Sequence, residues 1–102
     1  MVFVTVPGLK EGRRISKAIL TSRLAACVTV VPDVRSMYWW EGKIVRASEA
    51  MLLVKTTKIQ YQKLERKIME LHPYQVPEII AIPLVEGLPQ YLGWIKRETV
   101  NS

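Results

Sequence analysis

Residues 26–57 read Ala26-Cys27-Val28-Thr29-Val30-Val31-Pro32-Asp33-Val34-Arg35-Ser36-Met37-Tyr38-Trp39-Trp40-Glu41-Gly42-Lys43-Ile44-Val45-Arg46-Ala47-Ser48-Glu49-Ala50-Met51-Leu52-Leu53-Val54-Lys55-Thr56-Thr57. Val, Thr, Tyr, Trp and Met dominate, and Gly42 is the one helix breaker after Val34. The stretch reads as a long β-hairpin turning at Glu41-Gly42. Its first arm, Val28 to Trp40, would span about 43 Å at ~3.3 Å per residue. A compact domain of this length has a radius of gyration of only ~13 Å. The hairpin therefore outreaches its own domain. Its tip carries Met37, Tyr38, Trp39 and Trp40 in a row, apolar or aromatic on both faces. Such an edge aggregates unless something pairs with it, and a second copy of the chain is the expected cover. Pro32-Asp33 interrupts the first arm, which implies an edge position or a bulge.

Outward from the hairpin, Met1 to Val6 reads as a buried strand ended by Pro7-Gly8. Lys10 to Leu24 reads as a helix with Ile15, Ala18, Ile19 and Ser22 on one stripe. A second helix, Ile59 to Leu71, places Tyr61, Leu64, Ile68 and Leu71 at helical spacing and stops at His72-Pro73. Pro77 to Pro83 frames a fourth strand, Glu78 to Ile82. Leu88-Pro89 opens a short helix, with Pro89 suited to its first position. The tail from Glu98 to Ser102 is expected to fray. The order βαββαβ predicts an α+β, ferredoxin-like split βαβ sandwich: a four-stranded antiparallel sheet, two helices on one face, and a short C-terminal helix. One domain, residues 1–102, accounts for the whole length.

Composition narrows the function. The chain carries a formal charge of +6, spread along its length rather than grouped with aromatics. That balance suits solubility or an anionic partner. No apolar run of eighteen residues exists, so no spanning helix is predicted. The start, Met1-Val2-Phe3-Val4, is strand-like rather than a basic leader, which predicts a cytoplasmic protein, or an organellar one if a leader precedes it. There is one Cys, one His, one Asp and one Asn, too few for most catalytic constellations. No enzyme activity is expected.

Each candidate has a chemical and a structural reading. His72, at a helix end, reads as a metal ligand or proton carrier, or as a partner of the helix's last carbonyls. Cys27 reads as a thiolate ligand or as a small buried hydrophobe. Glu49 reads as a carboxylate ligand or a solvated side chain. Lys55, closing a buried strand, meets an anion or snorkels to water. Trp39 and Trp40 stack on a ligand or pack between subunits. Glu78 is expected to be paired. An RNA-binding RRM needs aromatics on the third strand, and Glu49 to Lys55 has none. An acylphosphatase-like site needs a phosphate cradle after the first strand and an Asn; Pro7-Gly8-Leu9-Lys10 lacks the cradle, and Asn101 sits in the tail.

Several stretches together resemble the CutA family of divalent-cation tolerance proteins: Val4-Thr5-Val6-Pro7, Arg23-Leu24-Ala25-Ala26-Cys27-Val28, Ser36 to Lys43, Glu49 with Lys55-Thr56, His72-Pro73-Tyr74-Gln75-Val76-Pro77-Glu78-Ile79, and Tyr91-Leu92-Gly93-Trp94-Ile95. The resemblance implies a homotrimer of PII-like assembly whose hairpins and sheet edges pair between subunits. It implies binding of divalent metal ions, copper (Cu2+) among them, with a role in metal tolerance; the residues themselves predict no nucleic-acid or membrane partner. Some bacterial members carry a further Cys and His where this chain has Val4 and Leu71. The resulting expectation is a metal site drawn from His72, Cys27 and Glu49, beside an inter-subunit pocket of Tyr38, Trp40, Lys55 and Tyr74. The alternative is a PII-like trimeric sensor or scaffold that takes an anionic metabolite or a protein through Lys55.

Overall fold

A computed structural model describes residues 1–99. The elements run β1 (Val2–Val6), α1 (Leu9–Thr21), β2 (Cys27–Trp40), β3 (Lys43–Lys55), α2 (Tyr61–Leu71, preceded by a 3-10 turn Lys58–Gln60), β4 (Ile79–Ala81) and α3 (Pro89–Glu98). They form an antiparallel sheet of order β2-β3-β1-β4. This is the split βαβ arrangement, and it follows from the period-2 and period-3.6 patterns of the chain.

Alternation assigns the sheet faces. Val2, Val4 and Val6 of β1 point with Ala50, Leu52 and Val54 of β3 toward Ile15, Ile19, Leu64 and Ile68 of the helices, and all ten are buried. Each of the Val, Leu and Ile side chains contributes ~1.5–3 kcal/mol when fully buried. Gly12 lets α1 seat closely, since a Cβ there would lie 3.3 Å from the Leu52 side chain. Phe3, Thr5, Glu49, Met51 and Leu53 point to the opposite face.

The hairpin is as long as its sequence requires. β1 pairs with β3 only from Ala50 to Val54, so residues 34–49 project beyond the rest of the sheet. The molecule measures 44 Å along its longest axis. Glu41 and Gly42 close the arms with φ of 50° and 78°, the two left-handed residues a type I′ turn demands. Met37, Trp39 and Ile44 near the tip are 69%, 72% and 62% exposed.

Pro32-Asp33 is both on an edge strand and in a bulge. Val31 pairs with Met51 and Val34 with Glu49, so two residues of β2 oppose Ala50 alone. Asp33 adopts φ 56°, a left-handed conformation that Asp tolerates better than most residues. The extra residue reverses the phase of the arm. Before the bulge, Val28 and Val30 face the helices. After it, Val34, Ser36, Tyr38 and Trp40 face the other way, on the side of Glu49.

Three boundaries differ from expectation. α1 ends at Thr21 rather than Leu24, because Arg23 turns left-handed (φ 61°) and the Leu24 N–H closes onto the Ile19 carbonyl at 3.0 Å, a Schellman-type stop without glycine. β4 spans three residues instead of five, because β1 offers partners only from Val2 to Val4. Glu98 ends α3, and Thr99 is buried with its hydroxyl donating to the Ile95 carbonyl at 2.9 Å. The rest of the tail expected to fray lies outside the described residues.

Candidate functional site

Where α2 ends, the chain turns past the end of β1 onto the face opposite the helices. His72 makes that turn. Its backbone N–H still donates to the Ile68 carbonyl, but its ring leaves the helix. Nε2 lies 2.7 Å from the Thr5 carbonyl oxygen, and Nδ1 accepts from the Tyr74 N–H at 3.1 Å. A carbonyl only accepts, so Nε2 carries the proton and the imidazole is neutral. Both nitrogens are engaged, and the ring is 8% exposed. The Leu71 carbonyl that the helix leaves behind accepts from Arg14.

Tyr74 stands against His72, with ring centroids 4.8 Å apart. Its hydroxyl donates to Glu49 Oε2 at 2.9 Å. Glu49 is 7% exposed. Burial, then the hydrogen bond and charge of Glu49, push the Tyr74 phenol up to about 12. It stays protonated and remains the donor. Around this pair opens a cleft of ≈ 730 Å³ lined by Thr5, Ser36, Tyr38, Trp40, Glu49, Tyr74 and Glu78, among others. The phase reversal at Pro32-Asp33 is what brings Tyr38 and Trp40 to it.

The expected site residues separate into two groups. Tyr38, Trp40, Glu49 and Tyr74 line the cleft, and His72 props Tyr74 behind it. Cys27 and Lys55 do not join them. They pair with each other across β2 and β3, six residues along β3 from Glu49, which is ~20 Å of strand. There the Lys55 ammonium donates to the Thr29 hydroxyl and lies 3.9 Å from the Cys27 sulfur. Tyr91 of α3 closes over this end; burial, then the Cys27 thiol, raise its phenol. Cys27, Glu49 and His72 of one chain therefore cannot ligate one ion. Among the described residues no three His, Cys, Asp or Glu side chains converge on a metal-sized point. Val4 and Leu71 do not substitute: Val4 is fully buried beneath the helices, and Leu71 packs against the same core. The residues of one chain thus do not fit a closed copper site.

Two cleft residues were not among the expected site residues. Glu78, expected to be paired, has no ion pair among the described residues and instead lines the cleft. Thr5 matters through its carbonyl, which no side-chain pattern announces. A larger groove, ≈ 840 Å³ between Met1, Ile59, Ile82, Leu92 and Ile95, gathers none of the expected site residues.

Comparisons with known proteins show the family and the fold. Residues 1–98 match the family model of the CutA1 divalent ion tolerance protein. The chain is 46% identical over 99 residues to the divalent-cation tolerance protein CutA of Thermus thermophilus, covering 97% of this chain and 96% of that one. It is 41% identical to the chloroplastic protein CutA 1 of Oryza sativa, covering all of this chain and 58% of the longer rice protein. The solved Thermus thermophilus structure superposes with a TM-score of 0.94 at 47% identity, covering 96% of this chain and 95% of that one. That of Oryza sativa CutA1 gives 0.95 at 42%, covering 99% and 93%. Matched along its length in sequence and in fold, the chain belongs to the CutA1 divalent ion tolerance family.

Proposed function

We propose that this protein serves divalent-cation tolerance as a non-enzymatic homotrimer, with the Glu49 cleft as its cation-binding surface. The observation that carries the reading is that a buried carboxylate, Glu49, and a second carboxylate, Glu78, line one cleft that no Lys, Arg or His lines. In a chain of net charge +6, such a cleft is a local minimum of potential for cations. Copper favours imidazole donors, and His72 offers one only by giving up Thr5 or Tyr74. Binding of Cu2+ is accordingly weak, unless the Cys27 end of a neighbouring copy reaches the cleft. The projecting hairpin, exposed at Met37, Trp39 and Ile44, supports assembly. The cytoplasm is the proposed compartment; no helix among the described residues is long and apolar enough to cross a membrane.

Native mass spectrometry with Cu(II) and Zn(II) tests this directly. A three-chain mass carrying ions that Glu49→Gln loses is the expected result. A monomer overturns the assembly. Ion uptake unchanged in both Glu49→Gln and His72→Ala overturns the site. A second reading, a PII-like sensor for an anionic metabolite, is favoured by one observation: Lys55 has no carboxylate partner among the described residues. Phosphate binding lost in Lys55→Ala would select it.

A further inference from the structure

The Leu71 carbonyl is the last of α2, and the side chain that meets it comes from the other helix. We propose that Arg14 of α1 is a positioning residue for His72 and Tyr74: by capping α2 it sets where the chain leaves the helix, and so where the Tyr74 hydroxyl meets Glu49. The proposal rests on the Glu49 cleft as the functional site and names a residue that shapes it from the helix layer.

α2 lacks its own C-terminal cap. The last carbonyls of a helix have no N–H partner within it. A left-handed glycine after the helix, or a basic residue in its last turn, commonly satisfies them. α2 has neither. Its last turn, Ile68-Met69-Glu70-Leu71, holds no basic residue, and His72 leaves it in extended conformation, φ −76° and ψ 133°. Glu70 adds a negative charge at the negative end of the helix dipole, which is unfavourable.

Arg14 supplies the missing donor and charge. Its Nη2 donates to the Leu71 carbonyl at 2.5 Å, and its Nε donates to Glu11 Oε1 at 2.7 Å. Glu11 lies one turn earlier on α1 and orients the guanidinium. That ion pair is half exposed, with side chains 45% and 31% accessible, so it contributes little by itself. The charge-assisted bond to the helix end is the stronger contact.

From Leu71 the support passes along one short segment. His72 is the next residue, and its ring bonds to the Thr5 carbonyl of β1 at 2.7 Å. The same ring accepts the Tyr74 N–H at 3.1 Å, and the Tyr74 hydroxyl donates to Glu49 at 2.9 Å. Hydrogen bonds weaken steeply away from their preferred distance and angle. A Leu71 carbonyl free to move therefore loosens the His72 ring, and with it Tyr74. All of these contacts lie within one subunit.

The test is NMR of the His72 ring nitrogens in the assembled full chain at neutral pH, with the Tyr74 amide followed alongside. His72 is the one histidine of the chain, so its ring signals identify themselves. The wild-type ring should show one neutral tautomer, protonated at Nε2 and protected from exchange with water. Arg14→Ala should lower that protection about tenfold and shift the Tyr74 amide. Arg14→Lys, which keeps a charge for the helix end, should lose less. Ile19→Val, a core change elsewhere on α1, should leave both signals in place. Signals unmoved in Arg14→Ala would overturn the proposal. Equal losses in Ile19→Val would overturn it too, by showing only a loosened fold. Zn(II) uptake, read by native mass spectrometry, separates this proposal from the cation reading. Uptake lost in Arg14→Ala and kept in Ile19→Val supports both. Uptake that survives Arg14→Ala overturns Arg14's part in the site. No uptake by the wild type overturns the cation reading alone, and the ring signals then decide Arg14.

Discussion

Replacing Tyr74 by Phe removes one atom from the centre of the cleft and tests how it is held together. The ring and its contact with His72 remain. What is lost is the 2.9 Å hydrogen bond to Glu49, a carboxylate only 7% exposed. Hydrogen bonds to charged groups contribute ~1.5–3 kcal/mol. Tyr74 itself is 36% exposed, so water competes and a loss of about 1 kcal/mol is expected. In a domain of this size that lowers the melting temperature by roughly 4–8 °C. The pH dependence gives a second signature. The fold raises the Tyr74 pKa from 10.0 to about 12. A raised phenol contributes stability that is fully present below the unfolded value and lost as pH climbs through the folded one. The wild-type advantage over Tyr74→Phe should therefore be full at about pH 8 and visibly smaller at about pH 11. Urea denaturation at both pH values, at one protein concentration because assembly adds stability, measures it. A double-mutant cycle with Glu49→Gln should recover the same coupling. Indistinguishable stabilities at pH 8, or a difference that does not shrink toward pH 11, would refute the assignment of Tyr74 as the donor to Glu49.

Three further outcomes are expected. His72→Ala strands the Thr5 carbonyl and frees the loop after α2, costing ~1–3 kcal/mol in denaturant unfolding; His72→Gln, which can still donate, should restore part of it. Deleting Asp33 removes the bulge and turns Tyr38 and Trp40 away from Glu49. NMR contacts between the Tyr38 and Tyr74 regions should then vanish while signals from Ile19 and Leu64 persist. Leu64→Ala, at a fully buried position of α2, should destabilise by ~2–5 kcal/mol, read from the urea midpoint.

Much of this was legible along the chain. The hairpin and its turn at Glu41-Gly42 follow from residue types whose backbone preferences act locally. The stripes on α1 and α2, and Pro89 at the start of α3, are likewise short-range signals. The end of α1 was not legible, since Arg23 takes a left-handed conformation that its side chain does not advertise. The site was half legible. Tyr38, Trp40, Glu49 and Tyr74 were found as residue types and do meet. Lys55 and Cys27 were found in the same way and do not.

The sequence by itself determined the elements, their order and the excess length of the hairpin, because these depend on neighbours within a few residues. Tertiary structure alone decided which candidates share a site. The β2–β3 register put ~20 Å of strand between Glu49 and Cys27, and a single unpaired residue at Pro32-Asp33 chose the face for Tyr38 and Trp40. The state of His72 was decided the same way, by the Thr5 carbonyl, 67 residues away in sequence. A lone histidine announces a possible ligand; only its two through-space partners reveal that both nitrogens are already taken.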